Sequence, residues 1–495
     1  MAMCASWMRG VLSDGTTMAP SATSASVPPP PSAPAPSDQD WRSRKPEPGL
    51  ASVLKLPVPT SFKLENGLTV FLVEQHSLPI VAANVIVLSG SERNPVARPG
   101  LASFTAEMLD EGTKRRPALQ IADDAEQIGA RLSTRSTTDL SYVAVHALKK
   151  NAEAALDLAA DVLLNPEFPA NEIDRIRNDR LTEILQQRDE PSILAAKVFY
   201  SAVYGSDHPY GYTELGTAES NKAMTRDELL KFWEAGYVPE NAALVVAGDV
   251  SEVEVRALAE KYFGNWRGAH SRPEPPSATD LAGRRVVIVD RPASPQTSLR
   301  IGHVGVARAN PDYVAIDVMN TALGGLFSSR INSNLREKHG YTYGASSTFA
   351  YRRGPGPFVI GTGVRTDVTA PAVSEIFREI ERMRSSQLTA EELATAKDSI
   401  ARSLPGFFET TPQAASSVAQ LYVHGLPLDY YRKLPEQISS VSATDVQRVA
   451  EKYLKPMQTV VVAVGDRKKI DPELKKLNLG PIEPRDLDGR PIGEK

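Results

Sequence analysis

Two short segments carry side chains whose types and spacing could do chemistry. Residues 100–113 read Gly-Leu-Ala-Ser-Phe-Thr-Ala-Glu-Met-Leu-Asp-Glu-Gly-Thr and open an amphipathic helix behind strand-like runs at Leu68–Val73 and Val81–Ser89. Ser103 and Glu107 stand at i and i+4, on one helical face. A serine nucleophile needs a base beside it and a group that orients that base. No G-x-S-x-G elbow surrounds Ser103. The seven histidines (His76, His146, His208, His270, His303, His339 and His424) are scattered, and none forms a metal-type pair. The second segment is Leu323-Gly-Gly-Leu-Phe-Ser-Ser-Arg-Ile-Asn-Ser-Asn-Leu-Arg336-Glu-Lys-His-Gly-Tyr-Thr-Tyr343-Gly344. It reads as a glycine-opened helix that stops at Gly340, an expected left-handed end, followed by a strand. A fixed guanidinium and a phenolic O–H are suitable donors to the oxyanion that forms when a peptide carbonyl is attacked. For an arbitrary Arg and Tyr the plainer reading is a carboxylate-paired Arg336 and a half-buried strand aromatic at Tyr343. Phe327, Ile331 and Leu335 follow i, i+4, i+8 and read as the core-facing stripe that positions Arg336. Gly324 and Gly325 allow close backbone approach, as to a peptide lying across the helix start.

The elements around these segments alternate between strand and helix periods. Phe62–Val73 reads as two strands joined at Asn66-Gly67, a strong hairpin signal. Ile80–Ser89, Ala130–Ser136, Leu140–Ala147 and Ala242–Gly248 read as strands, and Gly100–Glu111, Ala118–Ile128, Asn151–Leu164, Ala170–Gln187, Arg226–Ala235 and Ser251–Phe263 as helices. Thr225 to Asp249 closes one half with a capped helix, an aromatic, a Pro turn, an apolar strand and Gly-Asp. Ser442 to Asp466 repeats that plan, with Gly248-Asp249 and Gly465-Asp466, and Pro239 and Pro456, each 217 residues apart. Coincidence at this length is a poor explanation, so two homologous α+β halves are inferred. The expected organisation is a Pro/Ala/Ser-rich tail over residues 1–55, a first half over 56–267 and a Pro-rich linker over 268–284. A second half over 285–475 and a polar tail over 476–495 follow.

Composition sets outer limits. The 495-residue chain is 41% hydrophobic and 23% charged, ordinary for a globular protein. A net charge of −4 argues against a general nucleic-acid binder. The single cysteine, Cys4, excludes an intramolecular disulfide and a cysteine-based zinc site. No apolar run is long enough for a transmembrane helix, and the N-terminus lacks the pattern of a signal peptide. Cys4 ahead of a Ser/Thr/Pro/Ala-rich tract would suit a lipid-anchored envelope protein whose signal was truncated. A mis-called start or a disordered tail is the blander account.

The first segment resembles the signature helix of the insulinase, pitrilysin and mitochondrial-processing-peptidase family of zinc peptidases, the inverzincins. There the stretch reads Gly-x-Ala-His-Phe-x-Glu-His-Met, and its H-x-x-E-H core supplies two zinc ligands and a general base. Ser103, Ala106 and Glu107 occupy those three places, so the ligands and the base are gone. Glu183, in Thr-Glu-Ile-Leu-Gln-Gln-Arg-Asp-Glu-Pro, matches the family's third ligand. Ser103, Glu107 and Glu183 together would make a poor zinc site, and Glu107 is better read as a solvated or Arg-paired helix residue. His208, in the Asp-His-Pro-Tyr-Gly tract that the family shares, reads as structural. The second segment resembles the family's Leu-Arg-Glu-Lys-x-Gly-x-x-Tyr stretch, whose Arg and Tyr reach the substrate carbonyl near zinc.

The resemblance covers roughly residues 58–470 and implies a fold of two similar halves, each of two α+β units with mixed or antiparallel sheets, closing as a clamshell around a peptide chamber. It implies a non-catalytic subunit of a heteromeric zinc metallopeptidase, inactive alone. That subunit would donate Arg336 and Tyr343 in trans to an H-x-x-E-H partner carrying the zinc, and would hold no metal itself. The alternative is a silent structural or peptide-binding protein on the same scaffold. A peptidase with a repurposed site ranks below both. The expected location is the bacterial cell envelope or periplasm, with the cytoplasm as the alternative.

Overall fold

A computed structural model describes residues 56–268 and 274–492. Cys4, the 1–55 tail, His270 and part of the 268–284 linker lie outside the described residues. Two six-stranded mixed sheets organise the described residues. The first is built from β1 (Thr60–Lys63), β2 (Thr69–Glu74), β3 (Ile80–Val87), β4 (Arg131–Ser136), β5 (Ser141–Leu148) and β6 (Ala242–Gly248), in the order β1-β2-β6-β3-β5-β4. The second is built from β7 (Arg285–Asp290), β8 (Gln296–Val304), β9 (Thr342–Phe349), β10 (Pro357–Arg365), β11 (Val460–Gly465) and β12 (Ile482–Arg485), in the order β12-β7-β11-β8-β10-β9. β6 runs parallel to β2 and β11 parallel to β7, and both lie antiparallel to their other neighbours, β3 and β8. The 217-residue repeat is therefore a repeat of sheet position. The Asn66-Gly67 hairpin is present: β1 pairs antiparallel with β2, and Gly67 takes φ +93.

The α+β class and the two halves hold, with one difference inside each half. A single sheet organises each, where two α+β units were expected. The polar tail over 476–495 is also more than a tail. The second half closes with a helix, Arg467–Lys476, and the tail then supplies the edge strand β12, which pairs parallel with β7 from Ile482↔Val286 to Arg485↔Val289. Its sequence, Ile-Glu-Pro-Arg, holds a single aliphatic residue, so β12 carries little periodic signal. Within the linker, residues 274–284 form neither helix nor strand.

β6 (Ala-Ala-Leu-Val-Val-Ala-Gly) and β11 (Val-Val-Val-Ala-Val-Gly) are buried at every residue. Such continuous apolar runs belong to strands covered on both faces. Four helices position the parts that matter: α1 (Leu101–Glu107), α2 (Ala170–Gln187), α3 (Pro191–Tyr204) and α4 (Thr411–His424). α3 comes from the first half and packs on β8 and β11 of the second sheet. α4 comes from the second half and packs on β3 and β6 of the first. Leu194, Val198 and Phe199 of α3 are buried with Val287, Val289, Val460, Val462 and Val464. Ala414, Ala415 and Val418 of α4 join a core with Ala82, Ile86, Ala243 and Val245. Each large aliphatic side chain so removed from water contributes about 2 kcal/mol. The small residues of α4 let its backbone come close to the sheet.

A buried polar joint also ties the halves. Tyr210 Oη donates to Asp139 Oδ1 at 3.1 Å and accepts from the Gly354 N–H at 3.1 Å. The Arg353 N–H donates to Asp139 Oδ2 at 2.8 Å, and the Arg352 guanidinium lies 4.4 Å from the Tyr210 ring centroid. His208 is structural here: its Nδ1 accepts from the Tyr210 N–H at 3.0 Å, and its Nε2 faces Ser277 O at 2.7 Å. Glu92 sits in the same joint with its nearest guanidinium, Arg353, at 3.8 Å. Burial, with the nearby Asp139 carboxylate, pushes the Glu92 carboxyl from 4.5 up to about 8. The folded chain thus keeps a proton that the unfolded chain releases above pH 4.5, and stability falls as pH rises through that interval toward 8. Glu92→Gln should therefore melt higher than wild type at pH 9 and show no gain at pH 4 in circular-dichroism melts. A lower melting temperature at pH 9 would show that the Arg353 attraction outweighs the burial cost.

Candidate functional site

α1 begins at Gly100, whose φ of +94 is a left-handed conformation that suits glycine. A Cβ there would meet Leu215 O at 2.6 Å. Asn94 Oδ1 accepts from the Ala102 N–H at 2.8 Å and fixes the first turn. The helix ends at Glu107, short of the expected Glu111, and it is buried through Ala106. Ser103 and Glu107 do share a face, and what faces them is Arg180 of α2.

Arg180 is 2% exposed, and its guanidinium is fully engaged. Nη1 donates to Glu107 Oε1 at 2.7 Å, and Nη2 donates to Ser103 Oγ at 2.9 Å. Nη2 also reaches Leu215 O at 3.1 Å and Gly100 O at 3.2 Å, while Nε donates to Asn221 Oδ1 at 2.7 Å. The Phe104 ring lies 5.0 Å from the guanidinium carbon. The Ser103 hydroxyl proton is directed to backbone carbonyls, Glu214 O at 2.6 Å or Gly100 O at 3.1 Å. No base receives it, so Ser103 is not an activated nucleophile. Glu107 is the Arg-paired residue expected from the sequence.

Glu183 does not join this cluster. It is exposed, and Gln187 Nε2 donates to it at 3.2 Å. Ala106 is wholly buried and offers no proton acceptor. The zinc implied by the resemblance does not fit these residues. A fixed cation already bridges the two ligand positions, the third position points to solvent, and the donors left are a hydroxyl and one paired carboxylate. Among the described residues no three His, Cys, Asp or Glu side chains converge as a ligand group. Sequence reasoning missed Arg180, although a signal existed: the buried positions of α2 are Ile173, Arg180 and Ile184, so an arginine stands on the apolar stripe.

The second segment is anchored on one side and open on the other. Residues Thr321–Gly325 form a π-helical turn, and Arg330–Asn332 continues into a π-helical stretch, Ser333–Lys338. Ile331 and Leu335 are fully buried. Arg330 binds Glu392 with two bonds of 2.7 and 2.8 Å, holding that carboxyl down at about 2. Asn334 Nδ2 donates to Glu379 at 2.7 Å and Glu375 at 3.1 Å. Gly340 ends the helix at φ +62, as expected.

Phe327 corrects the expected stripe. It lies before the helix, is 65% exposed, and sits with its ring centroid 4.3 Å from the Arg336 guanidinium carbon. The carboxylate nearest Arg336 is its neighbour Glu337 at 3.3 Å. Tyr343 is 90% exposed rather than half-buried. No hydrogen bond or ion pair among the described residues joins Arg336 or Tyr343 to Ser103, Glu107 or Arg180.

Gly324 also changes meaning. It is buried, and a Cβ there would stand 2.4 Å from Ser347 Oγ and 2.5 Å from Ser347 N. The close approach on this side is to β9; Gly325 beside it is exposed. The same segment closes the outer edge of β9. Asn332 Oδ1 accepts from the Ala345 N–H at 2.9 Å, and Asn320 Nδ2 donates to Ser347 O at 3.1 Å. A groove of about 600 Å³ lies over β8, β10 and β9, lined by Ser298, Arg300, Ser346, Thr348, Gly361 and Gly363.

Comparison with known proteins agrees with this layout. Residues 69–216 match the model of insulinase, peptidase family M16, and residues 223–400 match the peptidase M16 inactive domain. The chain belongs to the insulinase family. A protein named as an uncharacterized zinc protease of Rickettsia bellii is 28% identical over 402 residues, spanning 81% of this chain and 96% of its own. The uncharacterized zinc protease YmxG of Bacillus subtilis is 25% identical over 391 residues, 78% and 93% of the two chains. A solved peptidase M16 inactive domain from Pseudomonas fluorescens superposes with a TM-score of 0.78 at 27% identity, covering 82% of this chain and 98% of that one. A protease from Helicobacter pylori shares the fold, with a TM-score of 0.77 at 23% identity over 83% and 100% of the chains. In this insulinase-family chain the signature helix is kept as packing, with its metal-binding face given over to Arg180.

Removing that guanidinium would leave Ser103 Oγ, two carbonyls and Glu107 without their donor. Arg180→Met should lower the unfolding free energy by on the order of 3 kcal/mol in urea titrations. Glu107→Gln should cost less, because that carboxylate is partly open to water.

Proposed function

We propose that this chain is the non-catalytic, Arg/Tyr-donating subunit of a heteromeric zinc metallopeptidase that hydrolyses peptides. The zinc and the general base belong to a homologous H-x-x-E-H partner. The observation that carries this reading is the contrast between the two segments. Arg180 fills the ligand face of the first. The second holds Arg336 and Tyr343 at the surface on a rigidly anchored helix and strand, with donors to spare.

In the partner's reaction Arg336 and Tyr343 would act on the scissile carbonyl. A guanidinium N–H and a phenolic O–H donate to the oxygen as it gains charge, and their pre-set positions avoid reorganisation during the step. The Phe327 ring and the buried pair Ile331 and Leu335 hold the guanidinium's direction. Peptide pairing falls to β4. That strand is an edge of the first sheet with exposed residues, whereas Asn320 and Asn332 occupy the edge of β9. An extended peptide adds to a free edge through its main chain.

The purified chain alone should contain no stoichiometric zinc by metal analysis and cleave no peptide. Mixed with its H-x-x-E-H partner it should restore cleavage. Arg336→Ala and Tyr343→Phe should each lower kcat by about 10²-fold, with the complex intact by gel filtration. An unchanged rate in an intact complex would refute the donor role.

A further inference from the structure

A second cavity, of about 520 Å³, is lined by none of Ser103, Glu107, Arg180, Arg336 and Tyr343. Its walls come from α3, the loop over residues 205–219, the start of β7, and the turn that follows β12. It therefore spans both halves of the chain. The volume falls in the range of small-molecule sites.

The charges in its wall do not balance. Lys197, Arg285, Arg485 and Arg490 line it, with Glu219 and Asp488. Both lining carboxylates are already taken. Glu219 pairs with Arg490, and Asp488 receives two bonds from Arg188, at 2.6 and 3.0 Å. Arg485 is satisfied by Glu483 at 2.7 Å and Ser201 Oγ at 2.8 Å. Two cations remain. Lys197 makes no hydrogen bond or ion pair among the described residues, and burial holds its ammonium below the ordinary lysine range. Arg285 donates through Nη2 to Ala202 O, but its buried Nε has no acceptor, and its nearest carboxylate, Glu483, is 3.9 Å away. An ammonium partly withdrawn from water with no hydrogen-bond acceptor, and a guanidinium whose Nε is unpaired and whose one carboxylate stands 3.9 Å off, are costly. The remaining lining includes the hydroxyls of Thr213, of Ser206, which makes only a long bond of 3.4 Å to Asp207, and of Thr217, which caps the following helix. Gly205 and Gly489 have no side chain to fill the space.

We propose that this cavity binds a small, multiply charged oxyanion, clamped between Lys197 and Arg285 and hydrogen-bonded by the surrounding hydroxyls. Phosphate esters and polycarboxylates share this chemistry. By contacting α3 and β7 together, the ligand would tie the two halves and stabilise the folded chain by mass action.

The test uses the full chain alone and needs no partner subunit, so it stands apart from the peptidase reading. Pyrophosphate and citrate are titrated separately by isothermal calorimetry and thermal shift, against sodium chloride at matched ionic strength. At least one should bind saturably and raise the melting temperature beyond the chloride control. Lys197→Met should weaken that binding at least tenfold while leaving the circular-dichroism spectrum unchanged. Arg285→Gln should do the same as a second, independent variant. Binding by pyrophosphate alone identifies a phosphorylated ligand, and binding by citrate alone a polycarboxylate. No saturable binding of either, or wild-type affinity in Lys197→Met, overturns the proposal.

Discussion

The whole arrangement rests on the need to cover β6 and β11 on both faces. Each is apolar at every position and sits inside its sheet. Helices from the same half cover one face of each sheet. The other face is covered by a helix lent across the middle of the chain, α3 to the second sheet and α4 to the first. Neither half can complete its own core, and the described residues accordingly form one compact unit. The exchange also brings together the loop at Tyr210, Asp139 and the Arg352–Arg353 turn, which is how a buried polar joint comes to lie between the halves.

Within that frame the two segments have gone different ways. In the first, the helix that the family uses for metal is held by a permanent organic cation. Arg180 bonds the side chains at both former ligand positions, so the local demand for positive charge is met without an ion. A guanidinium is planar and keeps its charge, and its fixed fork of donors serves several acceptors at once. In the second, the groups that tie the segment down, Arg330–Glu392 and Asn334–Glu379, lie on one side, and Arg336 is left on the other. One segment spends its polar groups on internal contacts, and the other keeps two of them at the surface.

Much of this was legible in the residues. The Asn66-Gly67 hairpin, the left-handed stop at Gly340, the two-half repeat and the shared face of Ser103 and Glu107 all follow from local rules of turn chemistry and periodicity. What was not legible depends on partners far away in the chain. Periodicity says that a face is apolar, not which helix will cover it, so the exchange of α3 and α4 was invisible. Arg180 shares the buried stripe of Ile173 and Ile184, but which acceptors would meet it there depends on α1 and the 215–221 segment. Phe327 fits an i, i+4 stripe only if the helix reaches it, and the bend before Arg330 prevents that. Gly324 is a point of close approach to β9, a strand that the residues around the glycine do not name. The strand β12 is too short and too polar to announce itself.

The lent helix has a consequence for how the protein is made. Synthesis runs from the N-terminus, and domains generally fold as they emerge. The first sheet is complete in sequence once β6 has left the ribosome at Gly248, yet one face of β3 and β6 stays bare until α4, ending at His424, has been made. Through that interval Ala82, Ile86, Ala243 and Val245 face water or whatever else is at hand. A nascent chain in this state offers an apolar surface for longer than a self-contained domain of the same size would. Transiently exposed apolar surface of this kind is what chaperones shield, and here the order of the elements sets how long it stays open.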